Sequence, residues 1–456
     1  MTARMKSTPR RGSPEEAVLP PTMFEPYVRY LAKLFDATSC DGANARPAEL
    51  SSVLDGQPAR QLRKLYTATA LRGTGTYFTG SKLANRLVRS LAKVLPNASQ
   101  VVDPACGAGD LLVACARHLP VKGNFRETLQ DWGKRLAGFD INAAFVEATR
   151  YRLALLAIER TPVAAPMPKE LPVHEMFPNI RERSGLTDWQ LRRSPAVIVV
   201  NPPFSYGVAE GSCAWATGRV SQAASFMDIC LRNARKGTHI LAILPDVLRT
   251  GARYDKWRKM IAEKARVNNV EIAGQFDELT DISVFLLELD VGESNGVDMV
   301  AWAHPTSLSN LTVRDFFSVH VGSVVPFRLD GKGRWCGYFH AEHLPPWQTV
   351  RRIEQRIRFT GTTYRPPFVA IRRTSKADYQ VRCIGTVVTG SEPIAVENHL
   401  LLAMPRDKKV ATCQKLLQVL QLESKSRWMN KRMRCRHLTV EAVGDLPWPE
   451  DKTNAG

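Results

Sequence analysis

Asn201-Pro202-Pro203-Phe204 stands directly after the apolar, β-branched run Ala196-Val197-Ile198-Val199-Val200. An asparagine carbonyl and a nearby backbone carbonyl can together accept both hydrogens of one amino group. Two prolines hold such a segment in one extended shape, and the Phe204 ring can stack on a flat ring that carries the amine. Drawing the protons toward two acceptors makes the nitrogen lone pair available. That suits attack on a methyl sulfonium whose reactivity a cofactor provides. The bland alternative is a proline turn that closes a strand.

Two further groups of residues could hold such a cofactor. In Val101-Val102-Asp103-Pro104-Ala105-Cys106-Gly107-Ala108-Gly109-Asp110, a strand ends in an acid, a turn of small residues follows, and a helix begins. Gly107 and Gly109 let backbone approach a ligand closely, and the helix start offers free N–H groups. The third glycine of a dinucleotide fingerprint is absent, and no Lys-Ser/Thr follows to make a P-loop. Taken alone, this turn is as readily structural as functional. In Gly138-Phe139-Asp140-Ile141-Asn142, Asp140 can accept two ribose hydroxyls, or it can cap the helix that follows.

The elements that must position these residues show in the chain's periodicity. From about residue 74 to 305, short apolar runs (Val101-Val102, Leu136–Ile141, Ala196–Val200, His239–Leu244, Val270–Ala273, Ser283–Leu289) alternate with amphipathic stretches. This predicts an α/β domain with a mostly parallel sheet and ligands beyond the carboxyl ends of its strands. The expected organisation is a disordered basic tail at 1–20, a helical region at 21–70, a catalytic domain at 71–305 and a basic region at 306–456. At 456 residues, with 44% hydrophobic and 23% charged, the chain can bury a sizeable core. No apolar run is long enough to span a bilayer, and no apolar segment follows the basic N-terminus as in a secretory signal. The nine cysteines form no Cys-x-x-Cys pair, which fits a reducing, cytoplasmic, nucleoid-associated location. His340-Ala341-Glu342-His343 lacks a further ligand set, so no metal is expected, and His399 and His437 have no evident partner.

The net charge of +19 points to a polyanionic partner. Arg351, Arg352, Arg356, Arg358, Arg365, Arg372, Arg373, Lys376 and Arg382 form one basic cluster. Lys425, Arg427, Lys431, Arg432, Arg434 and Arg436 form another. Each is either a solvated face or a phosphate-binding surface.

The glycine turn followed by Asn-Pro-Pro-Phe, with Gly75-Thr76-Tyr77-Phe78-Thr79 before it, resembles the gamma class of DNA adenine-N6 methyltransferases of restriction-modification type. The likeness extends over roughly residues 70–290. It implies a Rossmann-like mixed seven-stranded methyltransferase sheet flanked by helices, with a C-terminal DNA-recognition domain and S-adenosylmethionine as cofactor. Tyr77, Phe78 and Thr79 would help hold its methionine part. Asp103, Ala105, Gly107 and Gly109 would line its main pocket, and Asp140 would bind the ribose. Asn201 and the Pro202 carbonyl would grip the target amine, with Pro203 stiffening the loop and Phe204 stacked on the base. The family usually has proline where Gly80 stands. The acid that normally contacts the cofactor's adenine is not obvious, with Glu175 and Asp188 as candidates. Residues 205–223 read as a flexible insertion, a lid or DNA contact.

The expected activity is site-specific adenine methylation of duplex DNA, with the base flipped out of the helix, in restriction-modification or phage defence. A monomer is expected, alongside a cognate restriction endonuclease or defence subunit. A protein glutamine presents a similar planar amide, and RNA or cytosine-N4 methylation would use the same loop. A silent DNA-binding defence module is the rival of another class.

Overall fold

The apolar runs become the strands of one sheet. They are β1 (Gln100–Asp103), β2 (Leu136–Asp140), β3 (Ile180–Glu182) and β4 (Ala196–Val200). The remaining strands of this region are β5 (Tyr206–Val208), β6 (Arg219–Ser221), β7 (His239–Pro245), β8 (Ala265–Gln275) and β9 (Ser283–Val291). A computed structural model of the chain describes residues 19–41, 46–161, 172–187, 189–209, 213–277, 280, 282–292, 302, 311–377 and 379–449. Most of the expected N-terminal tail, Asp188, part of the expected insertion at 205–223 and the expected boundary at 305/306 lie outside them.

The seven-stranded sheet has the order β3-β2-β1-β4-β7-β9-β8. β1 is parallel to both β2 and β4, so the strand order reverses at its carboxyl end. Such a reversal opens a crevice for ligands. β4 lies at the centre with Val197 to Val200 fully buried, which explains its unbroken apolar character. β5 and β6 pair antiparallel in a separate hairpin. The expected insertion at 205–223 is therefore paired at both ends, and the buried Trp215 anchors it by donating to Asp228 at 3.2 Å.

Helices α1 (Glu25–Asp41), α2 (Pro47–Leu54), α3 (Gln57–Leu65), α4 (Ala68–Thr74) and α5 (Gly80–Val88) precede the sheet. Then come α6 (Asp110–Ala116), α7 (Phe125–Arg135), α8 (Ala143–Arg160), α9 (Val173–Met176), α10 (Gln222–Asn233), α11 (Asp246–Thr250) and α12 (Asp255–Lys264). α8 packs on α1, α2, α6 and the sheet edge. It is thus enclosed on most sides, which is why its stretch Leu153–Ile158 is continuously apolar and buried. The limit expected at 70/71 falls inside α4. Leu19 is buried, and Pro20 accepts a 2.7 Å hydrogen bond from the Tyr66 hydroxyl.

The chain divides into two units: one comprises residues up to 245 with 256–271 and 286–297, the other 246–255, 272–285 and 298 onward. The second contains α13 (Val313–Phe316), β10 (Phe317–Val321), β11 (Arg334–Phe339), β12 (Thr349–Val350) and β13 (Arg356–Phe359). β14 (Phe368–Arg372), β15 (Gly385–Val388), β16 (Ile394–Val396), β17 (Leu400–Pro405), α14 (Val410–Gln421), α15 (Glu423–Arg432) and α16 (Val440–Gly444) complete it. Its sheets run β10-β17-β14-β15-β12 and β13-β11-β16. Successive residues of β14 alternate between two cores. Val369 and Ile371 join Leu416 and Met429, whereas Phe368 and Ala370 join Phe339 and Val396.

Arg382 departs from the expected phosphate-binding surface. It is fully buried and donates to the Ser375 carbonyl at 2.5 Å and the Cys435 carbonyl at 2.9 Å. Acceptors thus engage both terminal nitrogens of its guanidinium inside the second unit, where an unpaired charge would be costly, while Nε stays buried without a partner. His399 and His437, expected to lack partners, meet Glu397 at 2.9 Å and Thr374 at 3.2 Å.

Candidate active site

β1 ends at the buried Asp103, whose carboxylate accepts from the Ala105 amide at 3.0 Å. The chain then turns through Gly107 and Gly109, with φ of +51° and +86°. A Cβ at Gly107 would lie 2.9 Å from the Phe78 ring, so only glycine fits there without displacement. The Gly107 amide donates to Asp140 Oδ2 at 3.0 Å, and the Asn142 amide donates to Asp140 Oδ1 at 2.8 Å. Asn142 itself caps α8, accepting from the Ala144 and Phe145 amides. Of the two readings of Asp140, this removes the helix cap and leaves the acid facing the glycine turn. Burial pushes the Asp140 carboxyl up to about 6, against backbone hydrogen bonds that pull it down. Burial pushes Asp103 up to about 8, with the charges of Asp140 and Asp110 adding to the rise.

Asp110 ties the turn to the segment before α5. It accepts from the Gly80 amide at 2.8 Å and pairs with the buried Arg152 at 2.9 Å. Arg152 also donates to the Val53 carbonyl at 2.8 Å and to the Ala108 carbonyl. One side chain thus joins the N-terminal helices to the glycine turn. Gly80 has φ +68°, a value closed to proline, which accounts for the departure from the family pattern.

Asn201 follows β4. Its amide nitrogen donates to the Tyr77 carbonyl and to Thr79 Oγ1, each at 3.0 Å. A carbonyl partner fixes which end of the amide carries the hydrogens. The buried Oδ1 is then left with no hydrogen-bond partner in the protein. The Phe204 amide donates to the Gly75 carbonyl at 3.1 Å, and the Tyr77 and Phe204 rings lie 5.9 Å apart at 32°. The segments before α5 and after β4 are therefore joined at several points.

These elements enclose a cavity of about 550 Å³. Of the expected residues, Tyr77, Phe78, Thr79, Asp103, Ala105, Gly107, Asp140, Asn201 and Pro203 line it. Gly109, Pro202 and Phe204 do not; Gly109 instead faces Thr149, and Phe204 is only 9% exposed. Glu175 lines a different cleft. Where the family's adenine-contacting acid was sought, Ser184, Gly185 and Leu186 reach the cavity. A Cβ at Gly185 would lie 1.8 Å from the Pro104 carbonyl oxygen, so that loop closes tightly on the turn after β1. Ile141 and the hairpin residues Tyr206, Gly207 and Val208 also line it. Neither Ile141 nor the hairpin residues carry a sequence signal of their own, since a singly exposed apolar residue is ordinary on a protein surface.

The N-6 DNA Methylase family model matches residues 61–300. The chain belongs to the N-6 DNA Methylase family. No curated protein matches it at significant similarity. Solved structures similar to this N-6 DNA methylase include a modification subunit of a putative type I restriction enzyme from Vibrio vulnificus. That likeness has 17% identity and a TM-score of 0.36, over 52% of this chain and 49% of that one. The chain thus spans about half the length of the Vibrio subunit. A putative class I S-adenosylmethionine-dependent methyltransferase from Listeria monocytogenes aligns at 15% identity and TM-score 0.35, over 53% of this chain and 70% of that one. The type IIG restriction endonuclease BpuSI aligns at 13% identity and TM-score 0.42, over 86% of this chain and 61% of that one.

Proposed function

We propose that this N-6 DNA methylase transfers a methyl group to the N6 amino group of an adenine in duplex DNA, with S-adenosylmethionine as the cofactor. One observation carries the reading: Asn201 has both amide hydrogens engaged and its carbonyl oxygen buried without a partner beside the cavity. A buried acceptor left unsatisfied costs about 1–3 kcal/mol, which a donor entering with the substrate recovers.

The cavity residues fit the cofactor. Each Asp140 oxygen keeps a lone pair beyond its backbone bond and can accept a ribose hydroxyl. Ile141, 47% exposed beside it, offers an apolar face to a nucleobase. Tyr77, Phe78, Thr79, Ala105 and Gly107 would hold the methionine end. S-adenosylmethionine supplies an electrophilic methyl group when bound.

The protein's own part is positioning. Asn201 Oδ1 and the Pro202 carbonyl accept the two amine hydrogens, and Pro203 keeps the loop extended. The nitrogen lone pair is then directed into the cavity, with no strong general base required. Phe204 is tilted against Tyr77 and only 9% exposed, so it has to turn toward the cavity before the base stacks on it. An adenine reaches this loop only outside the duplex, at a cost of a few kcal/mol. Stacking returns about 1–3 kcal/mol of that. The exposed cations of the second unit hold the duplex by its phosphates. By the resemblance, the chain works in restriction-modification or phage defence as a monomer beside a cognate endonuclease or defence subunit.

The test is transfer of labelled methyl from S-adenosylmethionine to a broad set of duplex DNA, followed by digestion to nucleosides. Wild type should label N6-methyladenosine, and Asn201→Ala should lose at least a hundredfold in rate while still binding cofactor. Label in another nucleoside would replace adenine as substrate. No label despite measured cofactor binding would overturn DNA methylation by this chain alone.

A further inference from the structure

The sheet edge of the first unit carries a second cleft, of about 720 Å³, lined by Arg126, Lys134, Arg181, Arg183, Arg192 and Arg193. Glu175 is the one carboxylate on that lining among the described residues. Arg126 and Lys134 lie eight residues apart on α7 with Gln130 between them, so the three share one helix face about 12 Å long. Arg181 and Arg183 are two apart at the end of β3 and point to one side of the strand. Arg183 lies over the Phe139 ring, 5.0 Å from its centroid, and donates to Thr187 Oγ1 at 2.8 Å, which fixes its direction. Gln100 Oε1 accepts from the Arg192 and Arg193 amides at 2.8 and 3.2 Å, pinning the opposite wall. Leu129, Met176 and Trp189 form an apolar floor.

This arrangement sets six cations against one lining carboxylate among the described residues. The side chains of Arg126, Lys134, Arg192 and Arg193 pair with no carboxylate among the described residues. Converging cations repel one another at close range, and a bound polyanion removes that repulsion. The spread of the charges argues against a single phosphate. A nucleic-acid strand advances about 3.4 Å per phosphate along the duplex axis, so the α7 face alone spans three to four of them.

We infer that this cleft is a second grip on DNA, which holds a phosphodiester backbone without reading sequence. The choice of DNA over another polyanion rests on the proposed function. The cleft adjoins the methyl-transfer cavity, since Phe139 lines both. It therefore adds binding strength that is independent of the recognition site and keeps the enzyme on DNA between targets.

The full-length chain carrying R126Q, K134Q, R192Q and R193Q tests this, because all four residues are exposed and their replacement leaves no cavity. Affinity for a long duplex of random sequence is measured across a salt series, with cofactor binding as the control for folding. The variant should bind less tightly at low salt. Its slope of log affinity against log salt should be shallower by about 0.9 for each phosphate that is no longer neutralised, or three to four in all. Slopes and affinities equal to wild type would overturn the inference while leaving the methylase reading intact. ATP as competitor provides a second arm. If wild type binds ATP, the variant does not, and DNA binding is unchanged, the cleft is a nucleotide pocket and the inference fails. A wild-type chain that binds no duplex at all overturns both readings.

Discussion

On the proposed reading Asp140 meets the cofactor's ribose with a charged carboxylate, yet burial pushes its carboxyl up to about 6. Two backbone amides hold it toward the glycine turn, so both oxygens can accept from a ligand while it is ionised, whereas protonation turns one of them into a donor. A value of about 6, above the ordinary 3.8, means that the carboxylate is half formed at pH 6 and nearly complete about one unit higher. Cofactor binding should therefore be pH-independent from about 7 upward. It should weaken by up to about tenfold per pH unit as pH falls through 6, by one-proton linkage. Calorimetric titration with S-adenosylmethionine between pH 5 and 8 measures this. Asp140→Asn should bind weakly and without the pH slope; a wild-type profile flat down to pH 5 would remove Asp140 from the binding site. At this scale the sequence was most legible where chemistry is local. Asn201 and its prolines are contiguous, and their residue types suggest the amine grip directly. The free carbonyl of Asn201 was not legible, because the groups that occupy its amide belong to Tyr77 and Thr79, 124 and 122 residues away. Arg382 shows the same limit in reverse: inside a run of arginines, nothing marks the one that the fold buries.

The element that most constrains the site is the turn from β1 into α6. Gly109 caps α6 with φ +86°, and a Cβ there would lie 2.9 Å from Thr149 Cγ2 on α8. Thr149 cannot easily retreat, since its hydroxyl donates to the Gly107 carbonyl at 2.8 Å. Gly109→Ala should therefore lose about 1–2 kcal/mol from the left-handed backbone alone, with a steric contribution added. Adding Thr149→Ser removes the nearest methyl and keeps the hydroxyl, so the double variant should recover part of the steric cost, with Thr149 Oγ1 and Cβ still 3.0 and 3.2 Å from the new Cβ. Chemical denaturation of wild type, both single variants and the double variant measures that recovery against the effect of Thr149→Ser alone; a full recovery would mean that the backbone conformation carries no strain. Strand positions were readable wherever burial on both faces makes a continuous apolar run, as in β4. They were less so at the edges. β3 has a single buried residue among three, and β8 extends well beyond its apolar stretch at Val270–Ala273. The hairpin of β5 and β6 shows no sequence signal, because two three-residue strands with two glycines in the ten residues between them leave no pattern above loop composition.

For the whole molecule, a net charge of +19 announced a polyanion but not the faces that meet it. The structure separates cations that serve the fold from those left in solvent. Arg382 is buried, and Arg432 is bound to Asp445 at 3.2 Å, whereas Arg356 and Arg358 project from β13 into solvent. β13 runs antiparallel to β11, with Arg358 opposite Trp335 and Arg356 opposite Gly337. The Arg358 guanidinium lies 5.7 Å from the centroid of the Trp335 ring, which remains 60% exposed. Nearby in sequence, Phe327 is 84% exposed with Arg328 over its ring at 5.6 Å. Large aromatics gain nothing from such exposure unless a partner covers them, and cations held over their faces suit a nucleic acid. The methyl-transfer cavity is lined wholly by residues of the first unit, so DNA binding through this ribbon can be weakened without touching the chemistry. The triple variant W335A, R356Q and R358Q should raise the KM for DNA tenfold or more, on the scale of about 1–3 kcal/mol for the removal of a stacking ring and its charges. Its kcat at saturating DNA and its affinity for S-adenosylmethionine should match wild type, because no removed group lines the cavity. Steady-state methylation with varied DNA distinguishes the cases. An unchanged KM would show that this exposed ribbon is not where the duplex binds, and a fall in kcat alone would mean that it acts on the methyl-transfer step instead.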